Sequence, residues 1–269
     1  MEGCGPASRA KLIRENGSSN MAKNGTTRKS SRGRIIVIAA AFLAAAAVTL
    51  PAQQTGTASK GNKEITIEEL FLKSVEMQIL REKAFSEDYE IKLSSLDDLE
   101  KKIDSGSFKS DDQQVEFVAE YLALEGSGHV TRQEGHLMND FPEVRRRAAA
   151  LLGRLGTDDA KNALVRVLFI DQDPMVKAEA AYGLGVIGLN KDNEVVQALA
   201  FAYGREDPTR PDNNFGYALC LAVEKIAKKT GGINEPRAYQ MLVRIAQGNY
   251  LRTVKAKALQ VLEELKAAH

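Results

Sequence analysis

The chain has 269 residues, 43% hydrophobic and 27% charged, with only 6% aromatic residues and no Trp. This balance excludes a wholly disordered chain, and 7 Pro with 21 Gly exclude collagen-like and Pro-rich classes. Two Cys cannot form a disulfide framework, so the core must come from Ala, Leu, Val and Ile, which suits helices packed closely on helices.

The net charge of +1 is uneven along the chain. Residues 1–52 hold eight basic and two acidic residues, which leaves 29 basic and 34 acidic residues in the remainder, a net −5. That sign disfavours nucleic acid as a partner, because such binding draws on basic surfaces.

Residues 35–50, IIVIAAAFLAAAAVTL, are uncharged, and Lys23, Arg28, Lys29, Arg32 and Arg34 precede them. A basic stretch, a short apolar stretch and small residues are the parts of a secretory signal. Residues 1–52 are therefore expected to be an N-terminal extension and signal peptide, with Met21 as an alternative start and cleavage after Ala52. The competing reading is an uncleaved membrane anchor, the one route by which a membrane enters as a partner. Sixteen residues are short against the roughly 20 that a span needs. Either reading puts the rest of the chain in the periplasm or cell envelope.

Residues 53–63 are small and polar and read as a flexible linker. Residues 64–126 are expected to form N-terminal helices with a degenerate repeat. Thr66 and Glu69 have capping-box spacing, with Ile65 and Leu70 as a hydrophobic staple, and start a helix that runs to about Ser86. Leu96, Leu99 and Ile103 mark a second helix from Ser95. Val115, Val118, Ala119 and Leu122 mark a third, ending at Gly126. No stretch alternates with period two, so no strand is predicted. Residues 127–139 are Gly-rich and read as an irregular insertion.

From residue 140 the chain repeats itself. Residues 142–156, PEVRRRAAALLGRLG, and 174–188, PMVKAEAAYGLGVIG, agree at seven of fifteen positions. The pattern recurs at 213–227 and 252–266. Its apolar columns are Val144/Val176/Phe215/Val254, Ala148/Ala180/Leu219/Ala258, Leu152/Leu184/Val223/Leu262 and Leu155/Ile187/Ile226/Leu265. They lie on one face of a helix. Second amphipathic segments, Ala160–Phe169, Glu194–Tyr203 and Pro236–Gln247, separate the copies. Each unit is then a helical hairpin that can bury its apolar face only against its neighbours, which predicts an all-α solenoid of stacked hairpins over residues 140–269.

A Pro, then Val followed by Arg or Lys, then an Ala pair and Leu-Gly-x-Ile-Gly resembles the HEAT-like repeats of the phycobilisome-lyase type. Asp140 and Asp173 stand where that family has its turn Asp. The resemblance implies an α-solenoid and protein binding, with no particular chemistry and no cofactor. The later copies depart from it. Gly216 replaces the basic residue, Glu224 and Glu263 replace the first Gly of the pair, and Asn249 occupies the expected place of a turn acid.

No Ser/His/Asp set, Walker-type loop or His-Glu dipeptide occurs. His129, Glu134 and His136 are close in sequence but match no metal motif, so no metal site is assigned. Asp171, Asp173, Glu206, Asp207 and Asp212 collect in two turns, where acids are also ordinary turn residues. Cys220 shares a column with Ala149 and Ala181 and is expected to pack as a small core residue.

More informative is the side of the repeated helices turned away from the columns. It carries Arg146, Tyr182, Tyr217 and Leu221, with Lys225 nearby, where a water-facing surface would be polar. Aromatic and Arg side chains favour interface centres, which makes these five the candidate binding residues. Cover by a neighbouring helix is the competing explanation. The leading expectation is an exported protein-binding solenoid, a scaffold or assembly factor; the alternative is a lyase-like or metal-dependent enzyme or enzyme subunit on the same repeats.

Overall fold

The computed structural model describes residues 66–109 and 112–267. The expected signal and the linker lie outside them, as does Ile65 of the staple. Among the described residues no helix is long and apolar enough to cross a membrane.

Ten α-helices account for nearly all regular structure among the described residues: α1 Ile67–Phe85, α2 Tyr89–Asp104, α3 Gln113–Ala123, α4 Pro142–Leu155, α5 Asp158–Ile170, α6 Pro174–Ile187, α7 Glu194–Tyr203, α8 Asn213–Thr230, α9 Pro236–Gln247 and α10 Arg252–Ala267. They form two rows. The repeated helices α4, α6, α8 and α10 lie side by side, with α2 next to α4; the second row runs α3, α5, α7, α9. This is the predicted all-α solenoid.

The helix ends follow their caps. Thr66 and Glu69 form the expected capping box at α1. Asp88, Asp112, Asp173 and Asp212 cap α2, α3, α6 and α8 through their side chains. Gly156 and Gly188 end α4 and α6 in the left-handed conformation, which costs glycine nothing. Because Asp88 supplies a cap, α2 begins six residues before the predicted Ser95.

All four apolar columns are buried. The small residues beside them set the spacing of the first row. A Cβ on Gly153 would lie 2.8 Å from the Gly183 backbone, and one on Gly185 would lie 2.7 Å from that of Ala222. Any larger residue there would push α4 from α6, or α6 from α8, which outweighs the helix-propensity cost of glycine, about 1 kcal/mol. Cys220 is fully buried, as predicted, and burial pushes its thiol up to about 12.

One expectation is overturned. The insertion before α4 contains a strand pair, β1 Arg132–Gln133 with β2 His136–Leu137, antiparallel. Glu134 and Gly135, both with positive φ, make its tight turn. Two residues per strand are too few to show an alternation.

Candidate functional site

Adjacent hairpins are joined along one edge by buried and half-buried charges. Lys92 Nζ of α2 lies 2.8 Å from Glu125 Oε2 and also donates to the Ala84 carbonyl; both charged residues are almost fully buried. Arg145 of α4 donates from Nε to Asp171 Oδ2 at 2.6 Å, from Nη1 to Asp140 Oδ1 at 2.8 Å and to the Glu125 carbonyl at 3.1 Å. Burial opposes the charge on Arg145, but the hydrogen bonds to Asp140 and Asp171 outweigh it and raise its pKa. Lys177 of α6 pairs with Glu206. Each basic residue is the fourth of its helix and its acid follows the next helix of the second row.

The resemblance placed the turn acids at Asp140 and Asp173. Asp140 does accept from Arg145, but the fully buried carboxylate is Asp171, while Asp173 caps α6. The next link is different in kind. Gly216 occupies the basic position of α8, and Tyr250, not Asn249, occupies the acid's place. The buried Tyr250 ring sits where a Gly216 side chain would go. Burial raises the pKa of the Tyr250 hydroxyl, and that of Tyr203 beside it.

These contacts account for the acids of the two turns. Asp171 and Glu206 are ion-paired, Asp173 and Asp212 cap helices, and Asp207 accepts from Thr209. His129 stacks on the Tyr121 ring at 5.1 Å. Among the described residues no group of three or more His, Cys, Asp and Glu has the arrangement of a metal site.

Three of the five candidate binding residues meet at an open groove of about 500 Å3 between α6, α8 and the start of α10. Tyr182, Tyr217 and Leu221 line it together with Met175, Glu179 and Leu251. Tyr182 is 37% and Tyr217 40% exposed, so neighbouring helices leave part of each ring open. Lys225 Nζ stands 5.0 Å from the centre of the Tyr182 ring and holds it from one side. Arg146 lies off the groove. It binds Glu143 at 2.7 Å and stands 3.6 Å from Glu179 on the groove wall. Burial raises the Glu179 carboxyl, and Arg146 offsets only part of that shift.

Sequence reasoning missed Met175 and Leu251. Leu251 comes from the turn before α10, held by the hydrogen bond from its backbone N–H to Asn213 Oδ1 at 2.8 Å. Helical register could not have found it, because it lies outside every helix.

A two-row all-α stack with a side-chain-lined groove and repeated buried links defines an α-solenoid. Residues 136–211 match a family model described as HEAT repeats, so this part of the solenoid is HEAT-like. No curated protein matches the chain.

Proposed function

We propose that the chain is an exported scaffold or assembly factor of the cell envelope, with HEAT-like repeats of the phycobilisome-lyase type, that holds another protein in the groove between α6, α8 and α10. The observation that carries this reading is the pair of exposed tyrosines, Tyr182 and Tyr217, on a wall with Leu221, Met175 and Leu251. Exposed aromatic and aliphatic side chains gathered in one concavity are unusual unless something covers them. Export rests on the basic and apolar stretches of residues 23–50.

The test is Tyr182→Ala with Tyr217→Ala, followed for both melting temperature and crosslinking to a partner in intact cells. Truncating an interface centre commonly costs about 2 kcal/mol or more of binding, roughly thirtyfold. The expected result is unchanged melting with lost capture. A large fall in melting temperature, or undiminished capture by a stable double variant, rejects the groove as a binding surface. N-terminal sequencing of the native protein tests export. A start near Gln53 is expected, and an intact N-terminus on a cytoplasmic protein would remove the envelope from the reading.

A further inference from the structure

A second concavity, of about 410 Å3, opens on the other row. Arg205, Arg237 and Arg244 border it with Phe201, Gln240 and Met241. The arginines of α4 and α5 are spent on carboxylates: Arg145, Arg146, Arg147, Arg154 and Arg166 each have one within ion-pair distance. Among the described residues Arg205, Arg237 and Arg244 have none, although all three are exposed. Arg205 Nη1 donates to the Phe169 carbonyl at 2.9 Å, which fixes its direction. Glu206 and Asp207 line the adjoining cavity with Arg244, but Lys177 holds the first and Thr209 the second. Phe201 is 58% exposed, its ring seated edge-on against Phe169 at 5.4 Å.

Three guanidinium groups without a carboxylate partner thus gather around one opening. Each offers a planar fork that fits a carboxylate with two hydrogen bonds. Arg237 and Arg244 are seven residues apart and so share a face of α9, about 10 Å apart along its axis. One small anion does not span that distance. An extended peptide spans it in about three residues at roughly 3.3 Å each. Beside these charges Phe201 offers an apolar face.

We propose that this pocket binds an acidic segment of a partner protein, with carboxylates on Arg205, Arg237 and Arg244 and an apolar side chain against Phe201. The site differs from the tyrosine groove in row and in chemistry, so either stands or falls without the other.

The test is the fluorescence anisotropy of a labelled octapeptide of alternating Glu and Asp with one central Phe, titrated with the full chain. Saturable binding is expected, weakening with added salt. Arg237→Gln with Arg244→Gln should weaken it about tenfold or more, and Phe201→Ala severalfold. Arg132→Gln with Arg252→Gln, two exposed arginines that do not line the pocket, should leave it unchanged, as should Tyr182→Ala with Tyr217→Ala. Absence of saturable binding overturns the proposal. So does an equal loss in the Arg132/Arg252 variant, which would mean bulk charge alone. Tighter binding of inorganic phosphate or of a single-stranded oligo-dT would overturn it in favour of those ligands. All substituted side chains are exposed, and an unchanged melting temperature verifies the fold of each variant.

Discussion

The links between neighbouring hairpins are made in two ways. From α2 to α7 a basic residue on the fourth position of one helix reaches an acid beyond the next helix of the second row: Lys92 to Glu125, Arg145 to Asp171, Lys177 to Glu206. Between α8 and the turn before α10 the same place holds a glycine and a tyrosine ring. The fold therefore requires the gap to be filled and its polar groups to be paired, and it does not require charge. A buried ion pair fixes direction through its hydrogen bonds at the expense of desolvating two charges. A ring over a glycine avoids that cost but needs close shape agreement.

The largest effect expected from breaking a link is at Arg145. Arg145→Ala leaves Asp171 buried without its partner and takes a donor from the Glu125 carbonyl. The loss should be about 3–5 kcal/mol in urea unfolding. Replacing both partners, Arg145→Met with Asp171→Leu, should cost much less than Arg145→Ala alone, since no lone charge stays behind. If the double replacement is as damaging as the single one, the pair is a source of stability and not merely of direction.

A smaller effect sharpens the comparison from the other side. Gly216→Lys restores the basic residue of the repeat but drives its side chain into the Tyr250 ring. Overpacking of this kind costs about 1–3 kcal/mol. Adding Tyr250→Glu removes the ring and supplies the missing acid, so the double variant should recover part of that loss. A favourable coupling of about 0.5–3 kcal/mol in a double-mutant cycle is the expected reading. Simple additivity would mean that the two kinds of link are not interchangeable.

The difference between the links also explains what was legible. The apolar columns showed because α4 and α6 keep the same residues at the same spacing, with α8 and α10 keeping only their character. The basic side of the links showed too, at Arg145 and Lys177. The acids were misassigned because an Asp two residues before a helix cap and an Asp at the cap itself look alike in sequence, and only packing separates Asp171 from Asp173. Lys92 and Glu125 gave no signal, since α2 lacks the Pro, the Ala pair and the glycines by which its relatives are known. Tyr250 could not be read at all, because a ring in place of an ion pair changes both partners at once. At the groove, register brought Tyr182, Tyr217 and Leu221 to one side. Leu251 and the arginine pocket were hidden, being assembled from segments about 30 to 40 residues apart.

The smallest predicted effects contrast two glutamates of the first row, Glu179 on α6 and Glu224 on α8. Burial opposes ionisation of Glu224, but hydrogen bonds from Lys228 and Lys257 outweigh it and lower its pKa. Its contribution should be present above the ordinary carboxylate range and vanish as pH falls through its folded value. Glu179 runs the other way. Burial raises it, with Arg146 compensating in part, so the folded state holds that proton more tightly than the unfolded chain does. Stability then declines as pH climbs from the unfolded value through the folded one. At neutral pH Glu224→Gln should therefore melt lower than the parent and Glu179→Gln slightly higher, each by no more than about 1 kcal/mol. Both differences should disappear below the carboxylate range. Melting curves of the three proteins across that range read the signs directly. A neutral-pH loss in Glu179→Gln would mean that its bond to Arg146 outweighs its burial, and that the groove wall is held by an ion pair like those on the other edge.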